Sequence, residues 1–297
     1  MGKTVVALLA IAATLLAPRA ASAWGFAAHR LIMQRAIDIL PPELKPMFEK
    51  HRAELMVRVT DPDTWRQVGW EDDPNHFVDF GVPEYGKPPF TALPRDHNAA
   101  LEKFGAATLK RNGLLPWRAA EMFGHLRRGF EEFARSAPYT VSNTVLYAAV
   151  TSHYLQDAHQ PFHATDNYDG QLTGQQGLHS RFERDLVERF ADRLSLNPGP
   201  PRAPASIRDF AFDTLIDSYG KVESILRADK EAIAGKDAYD AAYFESFFGK
   251  MQPLLEQQLS AAISATASAI VAAWEQAGKP VIRVEDVRPV ERVRSPR

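Results

Sequence analysis

The chain has 297 residues, with 35 lysines and arginines against 37 aspartates and glutamates, a formal net charge of −2, 45% hydrophobic residues and no cysteine. That composition allows one sizeable core and excludes disulfide scaffolding and thiolate metal ligands, and no basic stripe advertises nucleic acid. Beyond the amino-terminal region no stretch reaches about 18 consecutive apolar residues, so no membrane span is expected.

Lys3, the apolar run from Val5 to Leu16 and Ala21-Ser22-Ala23 have the form of a secretory signal peptide over residues 1–23. Cleavage would leave Trp24 as the first residue of a secreted or periplasmic product. Helical periodicity then recurs over 26–40, 42–57, 97–112, 115–134, 141–159, 178–194, 207–233 and 239–277. Asp96, Ser142, Ser206 and Asp237 stand near helix starts as caps, while Gly113, Pro138 and Pro161 mark ends or loops. Strand-like alternation is nearly absent. The expectation is an all-α, single-domain multi-helix bundle over 24–278. Three irregular stretches interrupt it: the proline-rich 60–96, the Asp/Asn/Gly/Gln-rich 164–177, and the surface connection 197–204. Residues 279–297 lack helical period and read as an extended or disordered tail.

The chemistry concentrates between His153 and Glu183. His153 and Asp157 are spaced i, i+4, as are His179 and Glu183, and His163 lies between the pairs. On a helix that spacing projects both side chains from one face, close enough to chelate one ion. Imidazole and carboxylate suit zinc, and five such ligands exceed what one tetrahedral ion needs. A zinc cluster inside the bundle is expected.

Taken with Trp24-Gly25, His29, a Pro62-Asp63 element and His76-Phe77-Val78-Asp79, the motifs H-Y-L-Q-D-A-H-Q-P-F-H and G-L-H-S-R-F-E carry a resemblance. The chain resembles the superfamily of zinc-dependent phospholipases C and single-strand-specific nucleases of fungal and plant type, from Trp24 to about Arg189. The resemblance implies three zinc ions. Asp63, His76, His153 and Asp157 would hold the first. Asp157 would bridge to a second, bound also by His29 and by the α-amino nitrogen and carbonyl oxygen of Trp24. His163, His179 and Glu183 would hold the third. An α-amino group, with a reference pKa near 8, sheds its proton for a metal at little cost near neutral pH.

Some positions admit two readings. Asp61 and Asp63 compete for the loop ligand; Pro62 before Asp63 and Arg66 three residues after favour Asp63, while Asp61 has the setting of a turn or cap residue. Asp79 is either the acceptor that orients His76 or a solvated loop acid. His159 reads as a neighbour of the ligands, and His51, His97 and His125 as surface residues. Trp65, Phe77, Phe162 and Tyr168 either line a cleft or pack in the core.

Clustered zinc ions favour hydrolysis of phosphate esters, with Asp157 as the shared carboxylate and Asp63 as a proton acceptor, the two expected catalytic residues. The substrate is a phosphodiester, either phospholipid or single-stranded nucleic acid. Glu183 as last ligand and the short span from His163 to His179 resemble the phospholipase branch, whereas Trp24-Gly25 and the position of His29 resemble the nuclease branch. The lipid reading is slightly favoured, on a monomer. A secreted zinc-binding protein without turnover is the alternative of another class; a cleft filled by the 164–177 loop would favour it.

Overall fold

Ala148, Ala149, Val150, Thr151 and Ser152 leave their helix without a wide polar face, and such a helix is stable only when surrounded. The helix Thr140–Ala158 occupies that position: every residue from Ala148 to Ala158 is buried. The computed structural model describes residues 24–288, and the expected signal peptide lies outside the described residues. In chain order the helices are α1 (Phe26–Asp38), α2 (Lys45–Lys50), α3 (Arg52–Arg58), α4 (Asp61–Gln67), α5 (His97–Phe104), α6 (Ala106–Asn112), α7 (Leu115–Glu131) and α8 (Thr140–Ala158). They continue with α9, formed by Leu178–Ser180 and Leu186–Phe190 around a π turn at Arg181–Asp185, then α10 (Ile207–Tyr219), α11 (Val222–Ile233) and α12 (Ala241–Gln276). Central α8 packs against α1, α3, α7, α10 and α12. The chain is all-α and forms one domain with no sheet among the described residues.

The periodic stretches became helices, with informative changes at their edges. Asp96 and Ser206 cap α5 and α10, accepting from Ala99 N and Asp209 N. The 207–233 stretch divides around Gly220 into α10 and α11. Residues 42–57 give two short helices, and the 60–96 region contains α4. Asp240, not Asp237, caps α12 by accepting from Tyr243 N. The 36-residue α12 runs through Pro253.

The 195–202 connection is strapped along α12. Glu256, Ser260, Ser264 and Ser268 recur every four residues and so share one helix face. Glu256 accepts from Ser195 N, Ser260 Oγ from Asn197 N and Ser268 Oγ from Arg202 N, while Ser264 Oγ donates to Gly199 O.

Ser142 does not cap α8. Asp286 does, accepting from Val141 N at 2.7 Å and Ser142 N at 3.1 Å. Residues 279–288 form no helix and are pinned: Arg283 donates to Phe133 O, His51 to Val284 O, and Val287 bridges Pro138. Residues 289–297 of the expected tail lie outside the described residues. A helix amino terminus leaves amide protons in need of acceptors, and its dipole favours a carboxylate there. Asp286→Ala should cost about 1 kcal/mol in urea unfolding, the usual worth of a cap. It should also speed hydrogen exchange at Val141 and Ser142; unchanged exchange at both amides would rule out the capping role.

Candidate metal centre

Three elements bring the polar residues to one place. His153 and Asp157 project from α8 between residues of the core, His29 from α1 beside them, and Asp63 from the first turn of α4. His76 ends the turn Asp73–His76, and the segment that follows it is held on both sides. Val78 N donates to His163 O, while Asp79 N and Leu115 N donate to Asn112 O and Phe77 O. The close approach needs Gly113: its φ is +97°, and a Cβ there would lie 2.0 Å from Phe77 O.

His29, His153 and Asp157 form one group, Asp63, His76 and His153 a second, and His163, His179 and Glu183 a third. Within each, the ligand atoms lie within 4.8 Å of one another, and all eight residues are buried. The groups could each hold a metal ion. Asp157 faces both ways: Oδ1 is 3.4 Å from His29 Nε2, and Oδ2 is 2.9 Å from His76 Nδ1 and 3.3 Å from His153 Nε2. His179 Nε2 lies 2.8 Å from Glu183 Oε2.

Two features of these groups fit a metal centre. Buried polar atoms normally find hydrogen-bond partners. Yet His29 Nε2, both oxygens of Asp63 and Asp157 Oδ1 find none among the described residues. In addition, a ligating imidazole needs its second nitrogen fixed by an acceptor. His29 Nδ1 donates to Gln156 Oε1 at 2.6 Å, His153 Nδ1 to Val59 O at 2.8 Å, His163 Nδ1 to His76 O at 2.6 Å and His179 Nδ1 to Tyr168 O at 2.9 Å. Amide and peptide oxygens only accept, so each of these Nδ1 atoms carries a proton and Nε2 is turned toward its group, that of His179 onto Glu183 Oε2. His76 is reversed, with Nε2 donating to Asp72 Oδ2 and Nδ1 toward the group.

The site histidines divide in charge: burial opposes protonation of all of them, but Asp157 outweighs it at His29 and Glu183 at His179, which are held above the usual histidine range. Burial holds His153 and His163 below the usual histidine range, in the neutral form that coordinates metal. Burial opposes protonation of His76 as well, but Asp157 and Asp72 outweigh it and push the ring up to about 9. Burial would raise Asp157, but the surrounding His153, His163 and His29 hold it well below the carboxylate range.

Asp63 belongs to the group and Asp61 does not: Asp61 pairs with Arg58 at 3.2 Å. Asp72, which sequence order did not single out, orients His76. Hydrogen bonds from His76, Asn75 and Tyr154 overcome the effect of burial and bring it down to about 2. Asp79 neither orients His76 nor is fully solvated; burial and nearby Asp166 push its carboxyl up to about 8. The folded state thus holds a proton on Asp79 that the unfolded chain releases near pH 4, and stability contributed there falls as pH rises from about 4 through 8. The metal-free protein should lose stability across that interval. Asp79→Asn should flatten the slope; an unchanged slope in urea titrations between pH 5 and 9 would exclude this source.

Trp24 is fully buried, and its indole donates to Gln156 O at 2.8 Å, which sets it beside α8 and one turn before His29. His159 donates to Leu155 O and stays out of the groups. His97 is exposed, whereas His51 and His125 are half-buried.

A cleft of about 440 Å³ adjoins the groups through His76, His163 and His179. Phe77, Phe162 and Tyr168 line it, with Arg66 and Arg111 supplying positive charge. Trp65 stacks on Trp70 instead. The 164–177 loop borders this space through Tyr168 without filling it. Fold and site together define an all-helical protein with three buried histidine–carboxylate groups beside a cleft. No protein-family model matches the chain, and no curated protein matches it in sequence. No helix among the described residues is long and apolar enough to cross a membrane.

Proposed function

We propose that the protein is a zinc-dependent phosphodiester hydrolase of phospholipase C type, exported and active from Trp24 onward. The observation that carries this reading is the set of buried, hydrogen-bond-free atoms on His29, Asp63 and Asp157, placed beside an open cleft that contains two arginines. Arg66 approaches one oxygen of Asp63 at 3.3 Å, and the remaining atoms are costly unless a further cation satisfies them. With nitrogen and oxygen donors and no cysteine, zinc fits the donor set.

Three ions would be held, by Asp63, His76, His153 and Asp157; by His29, Asp157 and the Trp24 backbone; and by His163, His179 and Glu183. Zinc there would supply a water acidified toward neutral pH and positive charge against the phosphoryl oxygens. Asp157 would keep two groups in register through its two oxygens. Asp63, whose oxygens accept no hydrogen bond, would take up the proton lost by the attacking water. Arg66, 3.3 Å from Asp63 Oδ1, brings a guanidinium to the cleft where a phosphate oxygen would bind.

Glu183 and the short 163–179 span favour the phospholipase branch. A nuclease reading has one observation of its own, the aromatic rings of Phe77 and Tyr168 in the cleft, on which bases could stack. The test uses zinc-loaded protein beginning at Trp24, with His153→Ala and chelator-treated controls, on bis(p-nitrophenyl) phosphate, phosphatidylcholine, single-stranded DNA and RNA. Release of phosphocholine is expected. Cleavage of nucleic acid alone would transfer the protein to the nuclease branch, and bound zinc with no turnover on any substrate would leave a zinc-binding protein.

A further inference from the structure

Two loops that contribute residues to the cleft also carry exposed apolar side chains. Val68 and Trp70 are 65% and 62% exposed, and they lie in the turn between Arg66 and Asp73, two residues that line the cleft. Tyr168, itself in the cleft lining, is 49% exposed, and Leu172, four residues on, is 66% exposed.

Both loops are pinned in place. Trp70 N donates to Trp65 O, and its ring stacks on Trp65 with centroids 5.7 Å apart. Arg66 and Asp73 close the base of that turn at 3.2 Å. In the second loop Leu172 N donates to Asn167 Oδ1, Thr173 N to Gly170 O and Gln171 Nε2 to Asp166 O. The apolar side chains are therefore held toward water by ordered backbone.

We propose that this rim docks on a zwitterionic phospholipid surface, with Val68, Trp70 and Leu172 entering the headgroup layer and Tyr168 at the mouth of the cleft. The inference rests on the phospholipase reading above and supplies its substrate form, aggregated lipid. Indole and phenol rings favour the boundary between headgroups and hydrocarbon, and aliphatic side chains gain by leaving water there.

Charge separates this occupant from a nucleic acid. A groove that follows a polyanion needs excess positive charge along its length. Here the basic side chains about the cleft are matched with carboxylates: Arg66 with Asp63 and Asp73, Arg111 with Glu84 at 3.4 Å, and Lys110 with Glu71 at 2.7 Å. Valine and leucine also offer bases no stacking surface.

The experiment is co-sedimentation of the zinc-loaded protein beginning at Trp24 with pure phosphatidylcholine vesicles at low and high salt. A Val68→Ser/Trp70→Ala/Leu172→Ser variant is run beside it. The wild-type protein should partition onto the vesicles at both salt concentrations, and the variant should bind roughly tenfold or more weakly from the lost apolar area. Its melting temperature and its hydrolysis of soluble bis(p-nitrophenyl) phosphate should match wild type. No sedimentation with phosphatidylcholine, a requirement for added phosphatidylserine, or wild-type binding by the variant would each overturn the docking surface. Normal hydrolysis of the soluble ester without vesicle binding would remove the surface alone. Vesicle binding without any hydrolysis would remove the enzyme reading and keep the surface.

Discussion

Asp157→Ala is expected to lower phosphodiester hydrolysis by more than about a hundredfold, beyond the 10- to 100-fold typical of losing a single partner that merely orients a ligand. The same change should remove more than one equivalent of bound metal. Its two oxygens face different neighbours, His29 on one side and His76 with His153 on the other, so one substitution opens two groups at once. The third group, His163, His179 and Glu183, does not include it and should keep its ion. Metal content by elemental analysis, read beside turnover, separates these effects. Asp61→Ala is the matched control, since that carboxylate pairs with Arg58 away from the centre. If Asp157→Ala kept the full metal complement, the shared-ligand role would be lost.

Asp229→Ala is expected to destabilise the fold by about 3–5 kcal/mol, the usual consequence of breaking a buried ion pair from one side. Asp229 is fully buried and accepts from Arg181, Tyr243 and Gln175. Arg181 is 6% exposed; it also donates to Gln175 O and Gln176 O, and its guanidinium lies 3.9 Å from the Tyr239 ring centroid. Removing Asp229 strands that cation where water cannot reach it. Asp229→Asn, which retains an acceptor, should cost less. Urea unfolding at neutral pH distinguishes this from a surface pair, for which a loss below about 1 kcal/mol would be found. Arg181 opens the π turn that carries Glu183, so the loss should also weaken metal binding at the third group.

Long apolar periods made α1, α7, α8 and α12 legible, because burial on one or more faces requires a repeat. Their ends were less so. Ser142 looked like a cap by proximity, yet Asp286 supplies the acceptor from far along the chain, and no local pattern announces that contact. That His153 pairs with Asp157 and His179 with Glu183 was visible from spacing alone. Most of what orients them was not: Val59, His76 and Tyr168 act through backbone carbonyls, a group every residue possesses. Asp72 was within reach of the same reasoning, since it precedes His76 by four residues, the spacing already used for the ligand pairs. Asp79 was the more conspicuous acid only because it follows in the same motif.

The cap on α8 also has a temporal side. Asp286 lies 145 residues after Val141, whose amide it receives. At translation speeds of about 5–20 residues per second, a ribosome needs roughly 7 to 29 s to travel that interval. Throughout it, the helix bearing His153 and Asp157 must keep its amino-terminal amides hydrated or otherwise engaged. The chain therefore acquires the full stability of the helix bearing His153 and Asp157 only once Asp286 has been made. A ribosome-bound intermediate halted before Asp286 should hold that helix with a frayed first turn.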